Sequence, residues 1–173
     1  MLSSERLAAE RPSCTRPWRS GTLLADAGEE RMVDSREPCP ECGAPAVDGL
    51  GCWEQLGALL AWEGDDPELR AEHFLTVAAY NLQHPAQFTD AALGGLCAAF
   101  IERLDRGVAT VELRRRAARQ FDGPTRVLRK PSERRPVLRR WRMTIADVYL
   151  PEQPAGAADR VRAWAAAIRA ELS

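Results

Sequence analysis

Two cysteines near the start of the sequence have the spacing of a metal-binding pair. Cys39 and Cys42 lie in the segment 39–43, which reads CPECG. Two thiolates separated by two residues can bind one metal ion from a tight turn, and Gly43 allows that turn to close with a positive φ. Redox dithiols share the spacing, but they follow a strand at the start of a helix. The flanks here are rich in proline and glycine, so the motif favours a zinc site over a redox site.

A tetrahedral zinc site needs two further ligands, and few residues can supply them. The candidates are Cys52, His73 and His84, and the two histidines are the only ones in the chain. His73 and His84 are eleven residues apart, which is about 16 Å along a straight helix. They therefore cannot both bind one ion. We expect one histidine to join Cys39, Cys42 and Cys52.

The sequence leaves open which histidine is the ligand. We favour His73, because His84 would then be free to hydrogen-bond the last carbonyls of a helix that ends at Pro85. Asp48 or a water molecule could also complete the site. We expect His73→Ala and His84→Ala to differ, with one variant losing metal and the other retaining it.

Helical periodicity dominates the elements that must position these residues. Apolar residues recur at i, i+3, i+4 and i+7 in most of the chain after residue 52, and no run alternates convincingly as a strand would. Asp66 and Pro67 form a typical helix start, and Pro85 should end that helix. The predicted helices are 52–63, about 67–84, one that starts at Thr89 or Asp90 and ends at Gly107, 109–120 and about 155–172. Residues 144–148 could form a short helix or a strand.

These patterns predict a mainly α protein, a compact helical bundle with a Cys-rich metal-binding loop at its N-terminal side. The chain has 173 residues, enough for one domain but not comfortably for two. We expect a polar, flexible leader over 1–36, in which 22–33 could form a short helix, and a single helical domain over 37–173. That domain would contain the metal-binding loop, 37–52, and an irregular basic connection, 121–143.

Cysteine number and hydropathy bear on the cellular setting. Five cysteines cannot all pair within the chain, which favours a reducing compartment. No run approaches the roughly 20 apolar residues of a membrane span, and the N-terminus has no apolar signal region. We therefore expect a cytoplasmic protein with no membrane partner.

Charge is distributed unevenly along the chain. Residues 113–142 hold twelve basic and two acidic side chains, a formal charge of +10, whereas the rest of the chain carries −11. Such a segment can bind a polyanion, or its charges can pair with the acidic body of the same molecule, which is the commoner case. Phe121 and Trp141 are its only aromatic residues, so the segment itself gives little support for stacking on single strands.

Residues 73–85, HFLTVAAYNLQHP, resemble the HxLTVxxYxxQHP core of a bacterial family, domain of unknown function number 5946. The CPECG loop and the following Cys52 resemble the N-terminal cysteine loop of that family. Residues 144–148 and the helix of Trp164 are similar to its C-terminal part. The resemblance covers about residues 37–170.

This resemblance implies no known activity. It does imply that five residues form one functional set: Cys39, Cys42, Cys52, His73 and His84. Tyr80 and Gln83, two polar residues of the same core motif, are further candidate site residues.

Three functions are compatible with these patterns. The first is a zinc-binding helical protein with one structural ion and an accessory or interaction role, its partner being a protein or a second copy of the chain. The second is a metal-dependent enzyme on a small molecule, with an open coordination position near Tyr80 and His84. The third is nucleic-acid or regulatory binding through the basic segment 113–142.

Overall fold

Six α-helices make up most of the part of the chain that the computed structural model describes, which is residues 37–120, 122 and 126–172. They are α1 (Cys52–Trp62), α2 (Pro67–Ala71), α3 (His73–Gln83), α4 (Asp90–Arg106), α5 (Thr110–Gln120) and α6 (Ala157–Glu171). Only two isolated β-bridges occur among the described residues, so the expected mainly α class is confirmed. The leader 1–36 and its short helix over 22–33 lie outside the described residues.

The predicted helix boundaries rest on recognisable caps. The Asp66 carboxylate accepts hydrogen bonds from the backbone N–H groups of Glu68 and Leu69, and Pro67 occupies the first helical position. The Thr89 hydroxyl caps α4, and Gly107 ends it with a φ of 64°. These local signals are therefore confirmed.

One predicted helix is divided. The expected helix over 67–84 breaks at Glu72, where φ is −92° and ψ is 5°, and continues as α3 from His73. The two residues at the break both contact other elements. Glu72 pairs with Arg162 of α6, and His73 contacts Glu63, which follows α1. The prediction of one continuous helix was wrong, because tertiary contacts outweigh a periodicity that runs through the break.

The core is built around α3 and α6. α3 packs against both α4 and α6, and most of its residues are buried, because apolar side chains cover most of its circumference. Trp164 and Ile168 of α6 are fully buried, and so is Phe100 of α4. This packing fixes the C-terminal end of α3, where His84 lies.

The basic connection is irregular in its described part, 122 and 126–143. It contains an isolated β-bridge between Leu128 and Phe88 and a short 3-10 turn, Pro131–Glu133. It then runs alongside the cysteine loop, where the Arg139 N–H donates to the Glu41 carbonyl at 2.8 Å. Residues 145–147 form a 3-10 turn rather than a strand, and the Asp147 carboxylate accepts a hydrogen bond from the Thr144 N–H. Among the described helices, none has the length and apolar character needed to cross a membrane.

Candidate metal centre

The turn that carries Cys39 and Cys42 is closed by its own backbone. The Gly43 N–H donates to the Cys39 carbonyl, and the Cys39 N–H donates to the Ala44 carbonyl, both at 2.9 Å. Gly43 adopts a φ of 72°, a conformation that a side chain would oppose. The local sequence is therefore sufficient to bring the two thiols to one side of a tight turn.

The rest of the cysteine loop is attached to α1 by a buried glutamine. The Gln55 amide nitrogen donates to the carbonyls of Pro45 and Leu50, each at 2.8 Å, and Gln55 is fully buried. These bonds fix the position of Cys52, the first residue of α1, relative to the loop. The sequence analysis did not identify this role of Gln55. A polar residue next to the apolar Leu56 on a helix could have indicated a buried hydrogen-bond donor.

His84 reaches the loop from the end of α3. It is the C-cap of that helix, with a φ of −124°, and Pro85 follows it. Its Nδ1 is 2.7 Å from the Tyr80 carbonyl oxygen, to which it can only donate. Its Nε2 lies 3.3 Å from Cys39 Sγ and 3.4 Å from Cys52 Sγ. A neutral imidazole with its proton on Nδ1 presents an unprotonated Nε2 to the thiols, as a metal ligand requires.

The four side chains form one compact donor set. The ligand atoms of Cys39, Cys42, Cys52 and His84 all lie within 4.8 Å of one another. Zinc bonds of about 2.3 Å to sulfur and 2.0–2.1 Å to nitrogen would place tetrahedral ligand atoms roughly 3.5–3.8 Å apart. The observed sulfur–nitrogen distances are close to that spacing. The residues present therefore fit a tetrahedral cation with three sulfur ligands and one nitrogen ligand.

Hydrogen bonding within the cluster shifts its acid–base behaviour. Bonds from Cys42 and then Cys52 hold the pKa of Cys39 far below its usual range, and the bond with Cys39 raises that of Cys42. Burial alone would lower the pKa of His84, but its bonds to Cys39 and Cys52 outweigh burial and raise it to about 10. These shifts favour a Cys39 thiolate beside a protonated His84 at neutral pH, so that a cation binding to the cluster would displace the proton from His84 Nε2 and leave the neutral imidazole described above.

Tyr80 contacts this cluster without belonging to the donor set. Its ring stacks on His84 with centroids 4.0 Å apart, and its hydroxyl oxygen lies 3.6 Å from Cys52 Sγ. Burial, followed by the charge on Cys52, raises the pKa of Tyr80. The phenol therefore stays protonated and can donate to the Cys52 sulfur.

Gln83 serves the fold instead. It is buried, and its amide donates to the Met143 carbonyl at 2.7 Å, which ties α3 to the end of the basic connection.

The structure places His73 in a different environment. It is the first residue of α3, and its Nδ1 lies 2.7 Å from Glu63 Oε2, with 42% of its side chain exposed. The preference for His73 over His84 is therefore not supported by the geometry. Asp48 lies at the exposed tip of the loop with a φ of 52° and is not a member of the cluster either.

A carboxylate links the cysteine loop to the turn after α3. Glu41 Oε2 accepts a hydrogen bond from the Ala86 N–H at 3.0 Å, and partial burial raises the pKa of Glu41. Glu41 also lines a cavity of about 290 Å³ beside the cluster, together with Trp53, Tyr80, His84, Ala86, Gln87, Arg134 and Pro136.

Comparison with known proteins identifies one relationship. The model of a family of unknown function, DUF5946, matches residues 37–173. No curated protein and no solved structure matches the chain. The match confirms the resemblance seen in the sequence and includes all four residues of the cluster.

Proposed function

The chain belongs to the DUF5946 family, whose function is unknown, and from the geometry of its donor set we propose that it is a zinc-binding helical protein. One zinc ion would be bound by Cys39, Cys42, Cys52 and His84. Its role would be structural, and the protein would act as an accessory or interaction module.

The observation that carries this proposal is the convergence of four protein ligands at one point. Three cysteines and one histidine form one of the common ligand sets of structural zinc sites. A catalytic zinc keeps one position for water or substrate, whereas four protein ligands fill a tetrahedral shell. The donor set therefore favours a structural ion over a catalytic one.

The position of the ligands in the chain supports the same role. They come from the loop before α1, from the first residue of α1 and from the end of α3, so that Cys39 and His84 are 45 residues apart. An ion bound here would cross-link these three segments in addition to the hydrogen bonds of Gln55 and Glu41. Its binding free energy would then contribute to folding.

The direct test is the metal content of protein purified under reducing conditions without chelators. We expect about one zinc per chain, and after replacement by Co²⁺ we expect the intense visible absorption of a tetrahedral thiolate site. Absence of metal would contradict the proposal. A Cys39–Cys42 disulfide in the same sample would favour a redox pair instead.

A pair of histidine variants tests the identity of the ligands. We expect His84→Ala to lower zinc affinity by well over tenfold and to lower the melting temperature, because it removes one ligand of the set. His73→Ala is the matched control, because His73 lies at the other end of the same helix, α3, and is not a member of the cluster. It should bind zinc like the parent in competition with a chromophoric chelator. Equal binding by both variants would exclude histidine from the site.

A further inference from the structure

The cavity beside the cluster has an aromatic wall that is open to solvent. Trp53, the second residue of α1, is 66% exposed, more than any other large apolar side chain among the described residues. Its ring centroid lies 6.0 Å from that of Tyr80, which forms a buried wall of the same cavity. An exposed indole beside a cavity of about 290 Å³ offers a planar group a surface on which to stack.

The other side of this cavity is formed by the basic connection. Arg134 and Pro136 line the cavity with Trp53, whereas Arg135 and Val137 line a second cavity on the opposite side of the chain. This alternation is that of an extended strand. The basic connection therefore forms the rim between the two cavities, with an arginine facing each.

Many basic side chains in the described part of this connection are not in close ion pairs. Five basic side chains of segment 130–142 have no carboxylate oxygen within 4.0 Å of their charged nitrogens in the described part of the chain: Lys130, Arg134, Arg135, Arg140 and Arg142. The carboxylates of Glu133 and Glu171 instead accept hydrogen bonds from the backbone N–H groups of Lys130 and Arg142, and the charge of Arg134 acts on Glu41 over a longer distance. By contrast, Arg115 and Arg116 of α5 pair with Glu112, and Arg116 also pairs with Glu102. Close ion pairs thus involve two of the four arginines on α5, whereas most of the basic side chains of segment 130–142, Arg134 at the cavity among them, form none in the described part of the chain.

We propose that this surface binds single-stranded nucleic acid, with one base stacked on Trp53 and the adjoining phosphates beside Arg134 and the other unpaired basic residues of segment 130–142. Aromatic platforms next to a basic strip are the general means by which proteins bind single strands. The inference goes beyond the proposed zinc site and does not require the ion, because neither Trp53 nor Arg134 is a ligand.

The cavity distinguishes a single strand from other polyanions. Bases of a duplex are stacked inside the helix and cannot reach an indole at the mouth of a cavity, whereas an unpaired base can. Glu41 lines the cavity as well, and its carboxylate can accept a hydrogen bond from a base amino group, whereas an ionised acidic side chain has no donor to offer it. These features favour a nucleic acid strand over an acidic protein segment.

The test is fluorescence anisotropy of the full chain with a labelled twelve-nucleotide DNA strand, the corresponding duplex and polyglutamate as probes. We expect the single strand to bind most tightly, with an affinity that falls linearly in log salt. Metal content is measured on every sample, so that loss of zinc can be separated from loss of nucleic-acid binding. Equal binding of polyglutamate or duplex, or no binding of the single strand at low salt, would overturn the inference.

Variants locate the binding surface. We expect Trp53→Ala to weaken single-strand binding roughly five- to 150-fold while metal content stays unchanged, and Trp53→Phe to retain most of the affinity. Arg134→Gln with Arg135→Gln should reduce the salt dependence by about 0.7 per lost phosphate contact. Arg119→Gln, an exposed arginine on α5, is the matched control and should bind like the parent. Parent-like binding by Trp53→Ala would contradict the stacking role.

Discussion

The hydrogen bond between the His84 side chain and the Tyr80 backbone carbonyl determines which ring nitrogen of His84 faces the cysteines. Because Nδ1 donates to the Tyr80 carbonyl, Nε2 faces Cys39 and Cys52. The same residue, Tyr80, places its hydroxyl 3.6 Å from Cys52 Sγ. One tyrosine thus orients a ligand through its main chain and contacts another through its side chain.

This arrangement predicts a measurable role for the Tyr80 hydroxyl. Tyr80→Phe removes the donor to the Cys52 sulfur but leaves all four ligands and the carbonyl that orients His84. We expect zinc affinity to fall by about tenfold, the lower end of the range for groups that support a metal ligand. Competition with a chromophoric chelator measures the change.

Tyr149→Phe is the control for this change. Tyr149 is also buried, but its ring stacks on Trp62. Its replacement should leave zinc affinity as it is. Equal losses in the two variants would mean that the effect comes from general destabilisation and not from the hydrogen bond to Cys52.

At the level of the elements, α1 and the cysteine loop depend on one another. Gln55 is a polar residue on the buried face of α1, and its amide is the donor to two loop carbonyls. The Leu50 carbonyl also accepts a hydrogen bond from the Val47 N–H, whereas for the Pro45 carbonyl Gln55 is the donor that the fold provides among the described residues. The loop is therefore positioned by the helix as well as by any bound ion.

We expect Gln55→Leu to lower the free energy of unfolding by about 1 kcal/mol, because it removes two hydrogen bonds to the partly buried carbonyls of Pro45 and Leu50. Zinc should still bind to the folded protein, since the four ligands are intact. Urea unfolding measures the stability, and metal analysis measures the stoichiometry.

Gly57, on the same helix, provides a control in which the free energy of unfolding should change in the opposite direction. A Cβ at Gly57 would meet no atom within 4 Å, so Gly57→Ala should raise the free energy of unfolding by about 0.5–1 kcal/mol. If Gln55→Leu were as stable as the parent in the same experiment, the loop would not depend on these bonds.

At the scale of the whole molecule, the core and the donor set both lie within the part of the chain that the family model matches. Buried residues of α1, α3, α4 and α6 form one apolar cluster, and Cys42 packs within it. The metal centre is thus continuous with the core. Removal of a bound ion should therefore lower the stability of the entire domain.

We predict that residues 37–173 fold and bind one zinc ion without residues 1–36. The melting temperature of this fragment should lie within about 5 °C of that of the full chain, a difference of roughly 1 kcal/mol. Treatment with a chelator should lower the melting temperature of both, because it releases the segments that the ion connects. Calorimetry with and without chelator measures these shifts.

Two results would contradict this prediction. A fragment that melts far below the full chain would show that residues 1–36 stabilise the domain. A melting temperature that chelation does not change would show that the ion is not structural.

Short-range features of this protein were predictable from its sequence. The tight turn of Cys39 and Cys42, the cap formed by Asp66 and the end of α4 at Gly107 depend on residues within a few positions of one another. Helix periodicity is also local, so the sequence predicted a helical bundle with a cysteine loop. The family resemblance also grouped Cys52 and His84 in one set, but that set included His73, which the structure places beside Glu63 and outside the cluster.

Only the tertiary structure decided which distant residues meet. The choice of His84 over His73, the break at Glu72 and the approach of Trp53 to Arg134 all depend on contacts between elements far apart in the chain. Spacing along a helix excludes a shared ion for two histidines, but it does not specify which end of that helix faces the loop. That choice follows from the packing of α3 against α4 and α6, which no local pattern encodes.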